Sequence, residues 1–126
     1  MRTLILFIVL IAISTACSKQ PSVDVVGRWQ IGQQLTAIYS GSDKTEEQII
    51  ELEDAYMQFN QDGLGSISYQ QEEMIFSYVV SDDEIVLSTE FCKRSSWIII
   101  EATGENLIIE HSNPSMVTVR YMKKLN

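Results

Sequence analysis

The sequence predicts an all-β protein in which about eight antiparallel strands run up and down around a barrel. From residue 26 onward, short runs rich in Val, Ile, Tyr and Phe are separated by clusters of Gly, Asp, Asn and Ser. This spacing is typical of sandwiches and barrels. The connections are short, so strands that follow each other should pair antiparallel. Eight runs have the length of strands: 27–38, 54–60, 65–71, 74–80, 84–90, 96–102, 106–111 and 116–123.

The segments between these runs carry turn residues. Asp62-Gly63 favours a tight hairpin, because such turns need positive φ angles that Gly adopts without steric cost. Three later connections have similar composition: Ser81-Asp82-Asp83, Thr103-Gly104-Glu105 and Ser112-Asn113-Pro114-Ser115. The strand boundaries are therefore predicted by turn chemistry as well as by hydrophobicity.

One stretch between the first and second runs favours a different element. Polar residues at 42, 43 or 45 could cap a helix, and the acidic residues that follow would lie in its first turn, where the helix dipole favours them. Ile49, Ile50 and Leu52 would supply an apolar side. We expect one short helix near residues 44–53, covering an end of the barrel. The alternative is that part of this stretch extends the second strand.

The amino terminus has the layout of an export signal. Met1-Arg2 supplies a positive start, Leu4 to Ile13 is almost entirely apolar, and Ser14-Thr15-Ala16 offers small residues before Cys17. The apolar run is too short to span a bilayer, which needs roughly 20 residues. Residues 1–16 are therefore predicted to be a signal peptide.

The small residues before Cys17 resemble the lipobox of bacterial lipoproteins. Membership of that class implies that the Cys17 sulfur carries diacylglycerol, that cleavage occurs just before Cys17, and that the new amino group is acylated, for example with palmitate. Ser14 stands where the class usually has Leu. The alternatives are an ordinary cleaved signal with a free Cys17, or an uncleaved anchor. Two or more acyl chains would make the attachment to the membrane stable.

The remaining chain divides into a lipidated tether, residues 17–25, and one domain, residues 26–126. Ser18 rather than Asp follows the cysteine, which by resemblance to enterobacterial sorting rules implies the outer membrane, with the protein facing the periplasm. Without residues 1–16 the chain holds eight Lys and Arg against 17 Asp and Glu, a net charge of −9. Such a surface repels phosphate backbones, so nucleic-acid binding is not expected.

The opening of the first strand resembles a known family. Val26-Gly27-Arg28-Trp29 is similar to the Gly-x-Trp signature of the lipocalin and calycin barrels, and Phe59-Asn60-Gln61-Asp62-Gly63 is similar to the small lipocalin-like domains of envelope lipoproteins. The resemblance implies that Trp29 closes one barrel end and that Arg120, on the last strand, packs across it as a cation over the indole. The chain is much shorter than typical lipocalins, which implies a small or filled cavity.

Strand alternation gives a set of candidate ligand-lining side chains. An apolar or amphipathic ligand inside the barrel would meet five aromatic residues: Trp29, Phe59, Phe76, Tyr78 and Tyr121. The alternative interpretation is that the same residues are the packed core of a small barrel.

Catalytic and metal chemistry find little support in the sequence. The single histidine, His111, has no neighbouring His or Cys cluster of the kind that zinc requires. No nucleophile motif surrounds Cys92 or His111, and no phosphate-binding Gly-rich loop is present. If Cys17 carries lipid, Cys92 has no partner for an internal disulfide. We expect no enzymatic activity, no metal and no cofactor.

Two functions remain, from different classes. The first is a lipid-anchored envelope protein that binds a small apolar or amphipathic ligand in the barrel. The second is a protein–protein module with a filled core, either an envelope assembly factor or an inhibitor resembling the small-barrel lysozyme inhibitors. The basic segment Phe91-Cys92-Lys93-Arg94-Ser95-Ser96, unusual in an acidic protein, could contact a ligand carboxylate or a protein partner.

Overall fold

A computed structural model describes residues 24–89 and 93–125. The predicted signal peptide, Cys17 and Cys92 lie outside these residues. Nine strands are described: β1 (Gly27–Ser40), β2 (Asp43–Glu51), β3 (Ala55–Phe59), β4 (Leu64–Tyr69), β5 (Glu72–Ser81), β6 (Glu84–Thr89), β7 (Arg94–Ala102), β8 (Asn106–Asn113) and β9 (Met116–Lys124). Within the described residues, no helix is long and apolar enough to cross a membrane.

Eight of these strands form a closed antiparallel barrel. The hydrogen-bonded order runs β1-β3-β4-β5-β6-β7-β8-β9, and a further pairing between β1 and β9 closes the ring. Consecutive strands are joined by short turns, as at Asn60–Leu64, where Asn60 N donates to Leu64 O over 2.9 Å and Gly63 adopts φ 86°. The predicted all-β meander is confirmed, and its eight runs correspond to β1 and β3–β9.

The helix predicted near residues 44–53 is wrong, because this stretch forms β2 outside the ring. Gly41, at φ 64°, turns the chain back, and residues 43–51 then pair with residues 33–40 of β1. The Thr45 hydroxyl also donates to the Ile38 carbonyl over 3.1 Å. Thr45, Ile49 and Ile50 are β-branched and fit an extended strand better than a helix. Pairing with β1 therefore stabilises this segment more than a helix with one capping residue would.

The barrel interior is a packed apolar core. Met57, Ile85, Leu107 and Ile109 are completely buried, and no polar or charged residue of the described chain is fully buried. Val25 is 1 % exposed and its carbonyl accepts a 2.9 Å hydrogen bond from the Trp29 indole. Packing of the barrel therefore begins at Val25, one residue before the predicted domain boundary.

Candidate functional site

A one-residue bulge in β1 determines which side chains meet at one end of the barrel. Ile31 pairs with Met122 of β9, but the next paired residues are Gln33 with Tyr121 and Gln34 with Arg120. The extra residue, Gly32, reverses the alternation of β1. Gln34 consequently lies on the same face as Ile31, opposite Arg120 on β9, and both side chains are directed into the barrel.

Arg120 places a cation inside this end of the barrel, which we call the mouth. Its Nε donates to Gln34 Oε1 over 3.1 Å, and its Nη1 lies 3.7 Å from Met57 Sδ. The guanidinium carbon is 4.5 Å from the centre of the Trp97 ring, in cation–π geometry. These contacts orient the guanidinium but do not neutralise its charge.

No carboxylate of the described residues lies within ion-pair distance of Arg120. In residues 24–89 and 93–125 the one ion pair within 4.0 Å joins Lys44 and Glu47 on β2. Loss of solvent lowers the pKa of Arg120 to about 10, so the side chain remains cationic at neutral pH. A cation that is partly removed from water and has no counter-ion among the described residues is costly, which makes this position a candidate anion site.

A cavity of about 270 Å³ opens beside Arg120. This volume would hold about nine groups the size of a water molecule. The lining combines apolar and polar side chains, and it comprises Ile31, Gln34, Leu52, Ala55, Ile67, Ser68, Tyr69 and Arg120. Such a lining suits a small molecule that has one anionic end and one apolar end.

His111 borders the same mouth. On β8 it alternates inward with Leu107 and Ile109, and its ring centre lies 5.2 Å from that of Trp97. Its Nδ1 is 2.9 Å from the Ser96 carbonyl oxygen. Because a carbonyl only accepts, Nδ1 carries the proton in this contact. Period-two alternation on β8 could have predicted this inward position from the sequence.

Four of the five predicted ligand-lining residues fill the opposite end of the barrel. Trp29, Phe59 and Phe76 are buried, and Phe59 contacts the Phe76 and Tyr78 rings edge-on, with centres 5.6 and 5.0 Å away. The Tyr78 hydroxyl donates to the Asn60 carbonyl. These aromatic side chains occupy the space that a ligand would need, so they form the packed core of this end.

Tyr121 and the Trp29–Arg120 pair lie differently from expectation. Tyr121 is on the outside of β9, where it lines an outer groove, whereas Arg120 and Met122 alternate inward. The cation over Trp29 is Lys124, whose Nζ is 5.7 Å from the indole centre. The structure does not bring Arg120 to Trp29, because Arg120 stacks on Trp97 instead. Lys124 lies four residues beyond Arg120 on β9, which is two steps of strand alternation.

The remaining predicted positions add no second site. Lys93 and Arg94, from the basic segment, are exposed at the start of β7, while Phe91 and Cys92 lie outside the described residues. Over the part of the chain that the structure covers, no group of three or more His, Cys, Asp or Glu side chains could hold a metal ion.

Comparison with known proteins supports the fold and leaves the function open. No protein-family model matches the chain, and no curated protein matches its sequence. A solved structure, an uncharacterized protein from Bacteroides eggerthii, is similar with a TM-score of 0.56 and 13 % sequence identity. The match covers 81 % of this chain and 100 % of that one. At this identity the similarity is one of fold.

Proposed function

We propose that this chain is an exported envelope lipoprotein, attached to the membrane through Cys17, whose barrel binds a small amphipathic anion. In this proposal the anionic group of the ligand contacts Arg120, and its apolar part occupies the cavity lined by Ile31, Ala55 and Ile67. The protein binds and holds the ligand without catalysis. Attachment at Cys17 follows from the resemblance of residues 1–17 to a lipoprotein signal.

The observation that carries the proposal is the uncompensated charge of Arg120. Hydrogen bonds between a guanidinium and a carboxylate are short and about twice as strong as neutral ones. The partners present, Gln34 Oε1 and Met57 Sδ, are uncharged. An entering carboxylate would therefore give Arg120 a charged partner that the described residues do not supply. The neighbouring apolar wall favours a ligand with a hydrocarbon portion.

Binding can be tested with octanoate and its uncharged analogue octan-1-ol. A soluble form of residues 18–126 is titrated while tryptophan emission is followed, since Trp97 lies directly against Arg120. We expect saturable binding of octanoate and at least tenfold weaker binding of octan-1-ol, because a hydrogen bond to a charged group contributes about 1.5–3 kcal/mol. Equal affinity for the two probes would contradict an anion site.

Arg120→Met separates a ligand-binding role from a structural one. It should abolish the preference for octanoate. It should also leave the free energy of unfolding unchanged or about 1 kcal/mol higher, because a desolvated cation is replaced by an apolar side chain. Tyr121→Phe, on the outer face of the same strand, is the matched control and should change neither property. A loss of more than about 2 kcal/mol in Arg120→Met would mean that Arg120 serves stability.

A protein–protein module remains the second candidate, and β2 favours it. All nine residues of β2 are exposed, and β2 pairs with β1 alone among the described strands. A free strand edge can accept an extended segment of a partner by strand addition. Failure of octanoate and octan-1-ol to bind, together with capture of an extended peptide by β2, would favour this function over ligand binding.

A further inference from the structure

The outer wall of the barrel carries an uncharged surface, bordered by Glu73, which we call the outer patch. It consists of six residues on three adjacent strands: Leu64 and Ser66 of β4, Ile75, Ser77 and Val79 of β5, and Val86 of β6. Their register makes them neighbours, since Leu64 pairs with Ser77, Ser66 with Ile75, and Val79 with Val86. Residues paired in this way have side chains on the same face of the sheet.

The apolar members of the outer patch are strongly exposed. Leu64 is 48 % exposed, Ile75 56 % and Val79 65 %. The chain has 17 acidic residues, and the one beside the patch is Glu73, at its edge on β5. Exposed apolar area that is contiguous and uncharged marks a surface that binds another apolar surface, either a protein or a membrane.

The start of the described chain lies beside this patch. Asp24, Val25 and Val26 line one depression together with Gly63, which precedes Leu64, and with Tyr78 and Val80, which flank Val79. The described chain therefore begins next to the outer patch.

The length of that segment limits how far the patch can be from a membrane. Asp24 is seven residues after Cys17. Seven residues span at most about 25 Å when fully extended. If acyl chains on Cys17 lie in a bilayer, the end of the barrel that carries Asp24 stays within that distance of the lipid surface.

We propose that the outer patch is the surface through which the barrel rests on the membrane that holds its acyl anchor. This inference rests on the proposed attachment at Cys17. The anchor keeps the patch close to lipid, and insertion of Leu64, Ile75 and Val79 into the interface removes apolar area from water. The opposite wall, formed by β1 and β9 with β2 outside them, then faces away from the bilayer.

A second copy of the chain is a less suitable occupant of the patch. Two mature chains would each bring a net charge of −9, which opposes their association. No charged side chain in the patch offsets this repulsion. A bilayer rich in neutral headgroups carries no such charge and is already brought close by the tether.

The orientation can be measured by quenching of a tryptophan placed on the patch. Full-length Val79→Trp, produced in a bacterial host that processes lipoproteins, is mixed with vesicles of phosphatidylethanolamine and brominated phosphatidylcholine. Tyr121→Trp, exposed on the opposite wall, is the matched control, and the wild type gives the contribution of Trp29 and Trp97, which are buried. We expect at least twofold stronger quenching of the added tryptophan at 79 than at 121. Ile75→Glu in the Val79→Trp background should remove this difference.

The outcomes distinguish the anchor from the orientation. Protein that floats with the vesicles but shows equal quenching at 79 and 121 retains the anchor and overturns the orientation. Protein that does not float overturns the proposed attachment at Cys17, and the orientation with it. A dimer whose formation is abolished by Ile75→Glu would identify a second copy as the occupant and also overturn the orientation.

Discussion

At the scale of single residues, Arg120 illustrates how one inserted position changes a site. The apolar residues Val117, Val119 and Tyr121 alternate with Thr118 and Arg120, so hydrophobicity alone favours Arg120 outside the barrel. Pairing with β1 across the Gly32 bulge instead directs Arg120 inward, opposite Gln34. The sequence identified Arg120 as a functional candidate, but its actual partner, Trp97, depends on register.

Gly65 provides a prediction about the filled end of the barrel. A Cβ at this position would lie 2.6 Å from the Phe76 ring and would also overlap the Gln58 carbonyl oxygen. Because both neighbours are held by packing and by the β3–β4 ladder, Gly65→Ala should lower the free energy of unfolding by about 1–3 kcal/mol in a denaturant titration.

Gly104→Ala is the control for this substitution. A Cβ at Gly104 would have no neighbouring atom within 4 Å, and no positive φ occurs there. Its effect should stay within about 0.5 kcal/mol. If the two variants were equally stable, the aromatic side chains would have room to move and this end of the barrel would not be tightly packed.

At the scale of elements, β2 differs from every other strand. Its partner is β1, and β1 is already held by β3 and β9 within the ring. Separation of β2 therefore leaves the barrel closed. All its side chains are exposed, so little apolar burial resists that separation.

This difference predicts the order in which backbone amides exchange with solvent. In native-state hydrogen exchange followed by NMR, the amides of β2 should exchange at least a hundredfold faster than those of β8. Strand β8 is paired on both sides and contributes the fully buried Leu107 and Ile109. Equal protection of the two strands would indicate that β2 is covered in solution, for example by a partner.

The elements also show why local sequence misjudged residues 44–53. A possible cap and a few apolar residues are compatible with a short helix, but each contributes only about 1 kcal/mol or less. Pairing of residues 43–51 with β1 supplies hydrogen bonds along the whole segment. The partner strand is β1, and the sequence of residues 44–53 alone does not show that they pair with it.

At the scale of the whole molecule, the barrel has one filled end and one polar mouth. The filled end contains Val25, Trp29 and Phe59, whereas the mouth contains Gln34 and Arg120. The aromatic residues that suggested a ligand pocket thus stabilise the fold, and the candidate pocket lies beside the cation. The packed aromatic core and the candidate pocket therefore occupy different ends of this small barrel.

Net charge leads to a prediction for the whole domain. Residues 17–126 carry 17 acidic against eight basic residues, and the structure as described holds one ion pair. Raising NaCl from about 0.01 M to about 0.15 M shortens the screening length from about 30 to about 8 Å. Weaker repulsion between the acidic side chains should raise the free energy of unfolding by about 1 kcal/mol. For a domain of this size, that corresponds to a rise of about 4–8 °C in Tm. A lower Tm in salt would indicate that favourable charge pairs dominate.

The sequence alone determined the all-β class, the antiparallel meander and the positions of eight strands. It could do so because period-two alternation and turn chemistry are local properties of a chain. Tertiary structure alone decided that β1 closes on β9, that β2 lies outside the ring, and that Gly32 forms a bulge. Those features decide that Arg120 lies inside the barrel and Tyr121 outside it. In a closed barrel, whether a side chain lies inside or outside depends on the register between strands that are distant in sequence.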